Sequence, residues 1–598
     1  MSIAKFKKIS LLGLSQSKKE IINALQGLGC MHLIAINPPS KKALTTSSTT
    51  LLDEIKSALR YLKDSPQQGR ARLHWHDFSP DKIVKQILAN QSALRAMIDR
   101  HDFLEQRTKD LAELGQFELP PEECLAGIKL WFYKISVNET QLIPKEIPAQ
   151  EIYRNNRYIF IALLATTEPQ DEQLCARRIH TGSVCLNSLY VELELVNEKI
   201  DDLVDERRNL TRYRYLLSLE LAQFSDRTQL KKALDKTQDH DDFFLLQGWL
   251  PQSQLVEVQQ FCEQNQLALT IEDPLEGELP PTLLESNSWL AGGRELVSFY
   301  QIPGYHSLDP SIMVFFSFSL FFAMIMADAG YGLILALFTL VSWKWLGRYN
   351  GAKWLRPLLI SISSFSIVYG VLLGSYWGVE PKAGTWLAEL KIININNFNA
   401  MMALVIVIGC LHICLGSAMR AWFSTQLNER LQALGFILFI IAALVFSLGL
   451  AKHHNSLKEL SYVLFLISLL MIMIFASNEP VTGFKSLVKR IFHSLAALYE
   501  LPSLLGDILS YLRLFALGLA GASLAITFNT LAMHIGHSTS WVLAIIVLLI
   551  GQTMNFALCL MGAVIHGLRL NYIEFFKWAL KEDGYIYQPF KKQEISHE

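Results

Sequence analysis

An arginine lies in a segment otherwise suited to lipid. Arg513 sits in the run GDILSYLRLFALGLAGASLA, more than a dozen residues from either end of an apolar stretch, where an unpaired guanidinium costs at least about 2.5–3.5 kcal/mol on insertion scales. At about 100° per residue, Gly506, Ser510, Ala516, Leu517 and Ala520 share its helix face. The permanent charge therefore lies on a smooth stripe along which a second helix can pass closely. Two chemistries fit: the arginine meets a carboxylate on a passing helix, or it is held in a fixed ion pair or by carbonyls inside the bundle.

A second charged group follows in LCLMGAVIHGLRLNYIEFFKW, where Arg569 has His566 three residues earlier on the same face and Glu574 five residues later. Arg569 lies nearer the end of its run, so snorkelling to the interface is as good a reading as function. Glu500 and Asp507, seven apart, line one stripe about 120–140° from Arg513 on the same predicted helix. They suit a water-filled access path or a helix-entry cap near the headgroups. His412, in GCLHICLG, reads as a hydrogen-bonded packing histidine more readily than as a proton relay. Cys410 and Cys414 beside it read as small packing residues.

The elements that must position these residues follow from composition. The chain has 598 residues, 51% hydrophobic and 18% charged, with 54 Lys plus Arg against 55 Asp plus Glu. No basic field argues for nucleic acid. Charges are frequent up to about Leu290, whereas the stretch from Pro357 to Val379 contains none. Apolar runs fall at about 311–343, 357–379, 399–419, 432–450, 460–477, 497–533 and 540–572, and a span needs roughly 20 residues. In the first run, MADAGYG places Asp328 beside Gly330 and Gly332, which predicts a break and hence eight spans. Basic loops at Lys344, Arg348, Lys353 and Arg356, at Arg420 and Arg430, and at Lys485, Lys489 and Arg490 then lie inside. With eight spans, both chain ends lie inside as well.

The polar half predicts a strand over Lys5–Leu14, a capped helix and a second strand; a similar unit around FFLLQGWLPQSQLVEVQQFCEQNQLALTIED; and a third near Leu130–Thr167. Stretches at about 49–114 and 189–234 carry apolar residues at three and four spacing, as in Leu51, Ile55, Leu59 and Leu62. They read as two arms of an antiparallel coiled coil or as separate amphipathic helices of one globular domain. The expected organisation is a mixed fold: α/β heads and coiled-coil arms in a cytoplasmic stalk over residues 1–300, an all-α polytopic membrane domain over 301–580, and a cytoplasmic tail over 581–598. No phosphate loop, zinc-protease motif or nucleophile elbow occurs. The eight cysteines are scattered, without a metal or disulfide framework. The N-terminus lacks the apolar core of a signal peptide. No cofactor and no metal are expected.

Together these residues resemble a family. GDILSYLRLFALGLAGASLA and GLRLNYIEFFKW are similar to the last two membrane helices of the a-type, or I-type, stator subunit of V-type and archaeal-type rotary ATPases. GWLP at Gly248–Pro251, YQIPGYHSLDP at Tyr300–Pro310, MADAGYG, GSYWG at Gly374–Gly378 and GCLHICLG follow in the family's order. The resemblance implies a non-nucleotide-binding subunit in a prokaryotic plasma membrane. Its partners would be a proteolipid c-ring, peripheral stalks, through them a nucleotide-binding head, and the bilayer. Arg513 would face the ring carboxylate, an arginine suiting that place because it stays charged throughout a cycle. Arg569 would assist, with His566 lining an access path. By placement, Glu500, Asp507, Ser510 and Glu574 are candidates for the proton or sodium path.

Two positions depart from the family pattern. Cys559 stands where many members carry glutamate, and Gly521 where some eukaryotic members carry histidine. His566 or a water-lined path would then serve the outer side. A secondary ion-coupled transporter and a non-transporting membrane scaffold are the alternative readings; no inverted repeat relates the halves of the membrane region, which counts against the first.

Overall fold

The computed structural model describes residues 2–36, 46–69, 79–112, 129–136, 149–154, 158–166, 177–179, 186–275, 277–285, 288–348, 350–382, 384–393, 397–424, 426–477, 484–538, 540–580 and 583–593. By contact density the chain divides into two units: Met1–Ile21, Cys30–Ile36 and Thr237–Phe590 in one, Ile22–Gly29, Asn37–Lys236 and Lys591–Glu598 in the other.

The second unit is built on four helices, α1 (Thr46–Lys63), α2 (Pro80–Ala112), α3 (Leu186–Leu210) and α4 (Arg214–Asp235). The three-and-four spacing of Ile55, Ala58 and Leu62 puts them on one face of α1, where they are fully buried with Val84 and Ile87 of α2, and with Leu210, Leu216 and Leu217. Gln86 and Asn90 reach Glu206, whereas Arg100 reaches Glu192 and Leu104 packs with Leu186 and Leu189. Partner numbers fall as α2 advances, so α2 and α3 run antiparallel. The predicted arms are thus paired helices, but each is interrupted. Residues 70–78 of the first lie outside the described residues, and a tight turn at Thr211–Tyr213 divides the second. The third predicted unit is a four-stranded antiparallel sheet in which Lys129–Ser136 pairs with Tyr158–Ala165 and Arg177–Ile179, and Ala149–Arg154 flanks Tyr158–Ala165. Alternation turns Phe132 and Phe160 toward Leu104 and Leu189, and Tyr133, Ile135, Ile159 and Ile161 to the opposite face.

In the first unit, the two α/β segments read separately in the sequence share one five-stranded antiparallel sheet. Phe6–Leu14 lies between Phe243–Pro251 and Ala268–Glu272, and His32–Ile34 and Gln238–His240 also pair with Phe243–Pro251. Cys30 and Cys262 are buried in this unit, and burial pushes both thiols up to about 11.

The apolar half folds into α5 (Ser311–Met326), α6 (Ala329–Arg348), α7 (Leu355–Leu373), α8 (Phe398–Phe423), α9 (Leu427–Ala451), α10 (Asn455–Ile474), α11 (Phe484–Ser510), α12 (Leu512–Ser538) and α13 (Trp541–Arg569). Among the described residues seven helical segments are long and apolar enough to cross a membrane, α11 and α12 counting as one, and α5 is a shorter apolar helix. The expected break is present. Ala327 ends α5 at φ 49°, and the Asp328 carboxylate accepts the amides of Gly330 (2.8 Å) and Tyr331 (3.1 Å) at the start of α6. α7 passes this break so closely that a Cβ at Gly370 would lie 2.1 Å from the Ala329 nitrogen. The segment that leaves the helices returns to the one that enters them: Thr282 N donates to Tyr585 O at 2.8 Å, and Pro303 bridges to Asp583.

Candidate functional site

The arginine site is assembled at two local irregularities. The first is Tyr511, between α11 and α12. Its amide donates to Ile508 O (3.1 Å) and its carbonyl accepts from Leu514 N (2.9 Å), which is the tighter i→i−3 pattern. The helical register of Glu500 and Asp507 therefore does not continue into α12, where Arg513 is the second residue. This corrects the expectation that all three lie on one regular helix. Tyr511 is fully buried and its hydroxyl bonds His412 Nδ1 at 2.8 Å, while the imidazole stacks on Phe575 at 4.4 Å. One buried histidine thus ties α8 to the α11–α12 junction and to the end of α13, the packing role read for it.

The second irregularity is a π-helical turn, Leu570–Phe575, at the end of α13. On an α-helix, residues five apart diverge by about 140°. The i→i+5 geometry of a π turn instead brings them together, and Arg569 Nε lies 3.9 Å from Glu574 Oε1. Ser510 Oγ donates to the same carboxylate oxygen and accepts from Arg513 Nη2 at 3.0 Å. Five sequence candidates thus meet: Ser510, Arg513, Arg569 and Glu574 form one polar chain, and His566 lies within electrostatic reach of both arginines.

Glu574 is only 2% exposed, whereas the Arg569 side chain is 51% exposed. Arg513 Nη1, Glu574 Oε2 and His566 Nδ1 are buried without a hydrogen-bond partner among the described residues. One carboxylate between two guanidinium groups leaves the cluster with a positive surplus and a free donor. Such a site can receive a further carboxylate, because a buried donor left unmade costs about 1–3 kcal/mol.

The remaining two candidates stand apart. Asp507 Oδ2 accepts from Lys577 Nζ at 2.7 Å and from the Trp578 indole at 2.8 Å. Glu500 is exposed on α11, within electrostatic reach of Arg420 and Lys577.

A second polar network was not foreseen from the sequence. The Asp328 carboxylate, 3% exposed, collects the Ser375 hydroxyl (2.7 Å) and the amides of Trp377 (2.9 Å) and Gly378 (3.0 Å) besides its two helix-capping bonds. Trp377 is held at φ 53°, a conformation that costs a bulky residue about 1–3 kcal/mol. Its carbonyl accepts from Asn529 Nδ2 at 2.7 Å, and Asn529 Oδ1 accepts from Gln552 Nε2 at 2.7 Å. Gln552 in turn accepts the Tyr331 hydroxyl, which accepts from Asn555 Nδ2 (3.0 Å). Asn555 also donates to Gly521 O at 2.9 Å, and its Oδ1 lies 3.7 Å from the Cys559 sulfur. Gly521 and Cys559 touch: a Cβ at Gly521 would lie 2.6 Å from Cys559 Sγ. The available signal was a pair of amides three residues apart in an apolar run, a spacing that puts polar groups on one helix face.

Among the described residues, His101, Asp102 and Glu105 on α2 form the one grouping with metal-ligand spacing. It is largely exposed, and Glu105 already pairs with Lys109 at 2.6 Å.

The model of the V-type ATPase 116kDa subunit family matches residues 229–352. The chain is similar to V-type ATP synthase subunit I of Chlamydia pneumoniae, at 24% identity over 97% of this chain and 96% of that protein. It is also similar to the subunit I of Borreliella burgdorferi, at 25% identity over 99% of both. A-type ATP synthase subunit I of Methanocaldococcus jannaschii is 26% identical over 69% of this chain and 64% of that protein.

Proposed function

We propose, from the premise that this chain belongs to the subunit I family of V-type and A-type ATP synthases, that it is the stationary membrane subunit past which a ring of carboxylate-bearing proteolipids turns. Protons or sodium ions reach and leave the ring along it, and ATP hydrolysis or synthesis takes place on other subunits. The observation that carries this reading is the polar chain Arg513–Ser510–Glu574–Arg569 around the buried Glu574 carboxylate, with an Arg513 Nη1 that has no hydrogen-bond partner among the described residues. Ser510 and Glu574 hold the guanidinium in place, and the free donor meets each passing ring carboxylate. An arginine stays protonated there, so it favours the ionised carboxylate, drives release of the bound ion and blocks direct leakage between two access paths. Arg569 supplies the second positive charge, His566 lines the approach, and Glu500 and Asp507 serve the inner side.

The chain crosses the membrane eight times in this reading, with α5 as a short first span. The pairing of Thr282 and Pro303 with residues 583–586 supports an even number, because the segments before the first and after the last helix must share one side. That side is the cytoplasm by the distribution of basic loops, and the bacterial and archaeal sources of the similar subunits support a prokaryotic cell. Residues 1–300 form the stalk that binds peripheral stalk subunits and resists torque, 301–580 the translocation domain, and 581–598 a cytoplasmic tail.

Affinity purification of the full chain from native membranes tests the assignment. The expected result is a complex whose ATP hydrolysis is stopped by a carbodiimide that modifies a membrane-embedded carboxylate. Recovery of the chain without any nucleotide-hydrolysing partner would contradict it.

A further inference from the structure

The turn that joins α8 to α9 closes a cavity of about 550 Å³ together with the segments around Leu275 and His306. That size falls within the range of about 300–1,000 Å³ usual for small-molecule pockets, and every wall belongs to the unit that holds the membrane helices. The walls are of two kinds. Leu308, Met419 and Phe423 are apolar, whereas Arg420, His306 and Glu429 bring charge or hydrogen-bonding groups to the same space. Arg420 lies in the last turn of α8. Its Nε is buried without a hydrogen-bond partner among the described residues, and Glu500, the acid within its electrostatic reach, is exposed on α11. A buried guanidinium donor left unmade is costly, and a phosphate accepts two of its N–H groups at once. Glu429, in the first turn of α9, accepts the Ser424 hydroxyl at 2.8 Å through Oε2. A carboxylate offers about four acceptor positions, so it can take an ammonium as well. Trp422, next to Arg420, is exposed, and tryptophan collects at headgroup depth.

We propose that this cavity binds the headgroup of an amino-phospholipid of the inner leaflet, with its phosphate on Arg420 and its primary ammonium on Glu429. The glycerol and the first acyl carbons would lie against Met419 and Phe423, and His306 offers the phosphate a second donor. This placement rests on the inner-side position of the α8–α9 turn read above and on no role in ion transfer. A lipid of net negative charge would meet the Glu429 carboxylate, and a choline headgroup has no N–H to give it. Free phosphate would satisfy Arg420 but leave the apolar walls against water. An ethanolamine headgroup meets all three demands. Once bound, it fastens the α8–α9 turn to the segment that leads into α5.

The test uses the full chain, purified in detergent and stripped of lipid, with phosphatidylethanolamine carrying a fluorescent acyl chain as the probe. The expected result is saturable binding that unlabelled phosphatidylethanolamine displaces about tenfold more effectively than phosphatidylglycerol or phosphatidylcholine, the worth of one charge-assisted hydrogen bond. Inorganic phosphate should not displace it. Arg420→Gln should weaken the binding of phosphatidylethanolamine and phosphatidylglycerol alike, by about tenfold. Glu429→Gln should abolish the preference between those two lipids while binding persists, a change that misfolding cannot produce. Equal displacement by the two lipids in the wild type would overturn the proposal, as would a preference unaltered in Glu429→Gln. Displacement by inorganic phosphate would overturn it too and mark a free-phosphate site. Sidedness is read separately, with a membrane-impermeant maleimide on Leu427→Cys in oriented vesicles. Labelling from the outer face alone would refute the inner-side reading even where the lipid binds, whereas inner labelling without the lipid preference would refute the site alone.

Discussion

Glu574 and Ser510 should be energetically coupled, and the size of the coupling follows from their geometry. The Ser510 hydroxyl donates to a carboxylate that is 2% exposed, and a hydrogen bond to a charged group contributes about 1.5–3 kcal/mol. The Arg569–Glu574 pair, 3.9 Å apart, would interact by about 4 kcal/mol at an effective dielectric constant of 20. The guanidinium is half exposed, so solvent screening reduces this to about 1 kcal/mol. Ser510→Ala should cost about 1.5–3 kcal/mol, and Glu574→Gln, which keeps an oxygen acceptor but removes the charge, about 1–3 kcal/mol. The double variant should cost about 1–2 kcal/mol less than the sum, because the charge that Glu574→Gln removes is the one that strengthens the hydrogen bond that Ser510→Ala deletes. Thermal unfolding of the four proteins in one detergent, with the midpoint shifts converted to free energies, measures the cycle. Additivity within about 0.5 kcal/mol would refute the bond as the link between α11 and the π turn.

Asp328→Ala should destabilise the chain by about 3–5 kcal/mol, since it strands the amides of Gly330, Tyr331, Trp377 and Gly378; the folded yield in detergent and the unfolding midpoint report it, and near-wild-type values would contradict the cap. Gly370→Leu should prevent folding of the α5–α7 region, because its Cβ would lie 2.1 Å from Ala329 N; size-exclusion recovery of a monodisperse protein would count against this packing. Cys30 and Cys262 should resist a disulfide-exchange reagent at pH 8 until the protein is denatured, their thiols being held up to about 11 by burial. A thiol raised from its unfolded value near 9 keeps its proton in the fold, so its contribution is present below about pH 9 and is lost between about 9 and 11; rapid native labelling at pH 8 would contradict the buried placement.

Much of the site was legible because its residues are wrong for their surroundings. Arg513, Arg569 and His566 stand out in apolar runs where hydrophobicity alone would exclude them, with Ser510 three residues before Arg513 and Glu574 just beyond the last run. The break at Asp328 was legible for the same reason, reinforced by Gly330 and Gly332. Their mutual geometry was not. Tyr511 is an ordinary helix residue, and nothing in its type announces the tightened turn that shifts the register of Arg513 from that of Asp507. Glu574 and Arg569 diverge on a regular helix and meet only through the π turn. In the polar half, the strands were readable from alternation and turn residues. That Phe6–Leu14 pairs with Phe243–Pro251 was not, because hydrogen bonding between strands more than 200 residues apart leaves no local pattern. The amide series of Asn529, Gln552 and Asn555 escaped because single amides in long apolar runs read as helix glue until Tyr331 and Trp377 are placed beside them.

ATP-driven ion uptake into inverted membrane vesicles, with wild type and Arg513→Gln compared at matched levels of assembled complex, tests most directly whether this arginine carries the ion step. The expected result is loss of uptake with the complex intact, since glutamine retains hydrogen bonding to Ser510 but cannot hold an ionised carboxylate. Unchanged uptake in Arg513→Gln would contradict it and make the arginine a structural residue.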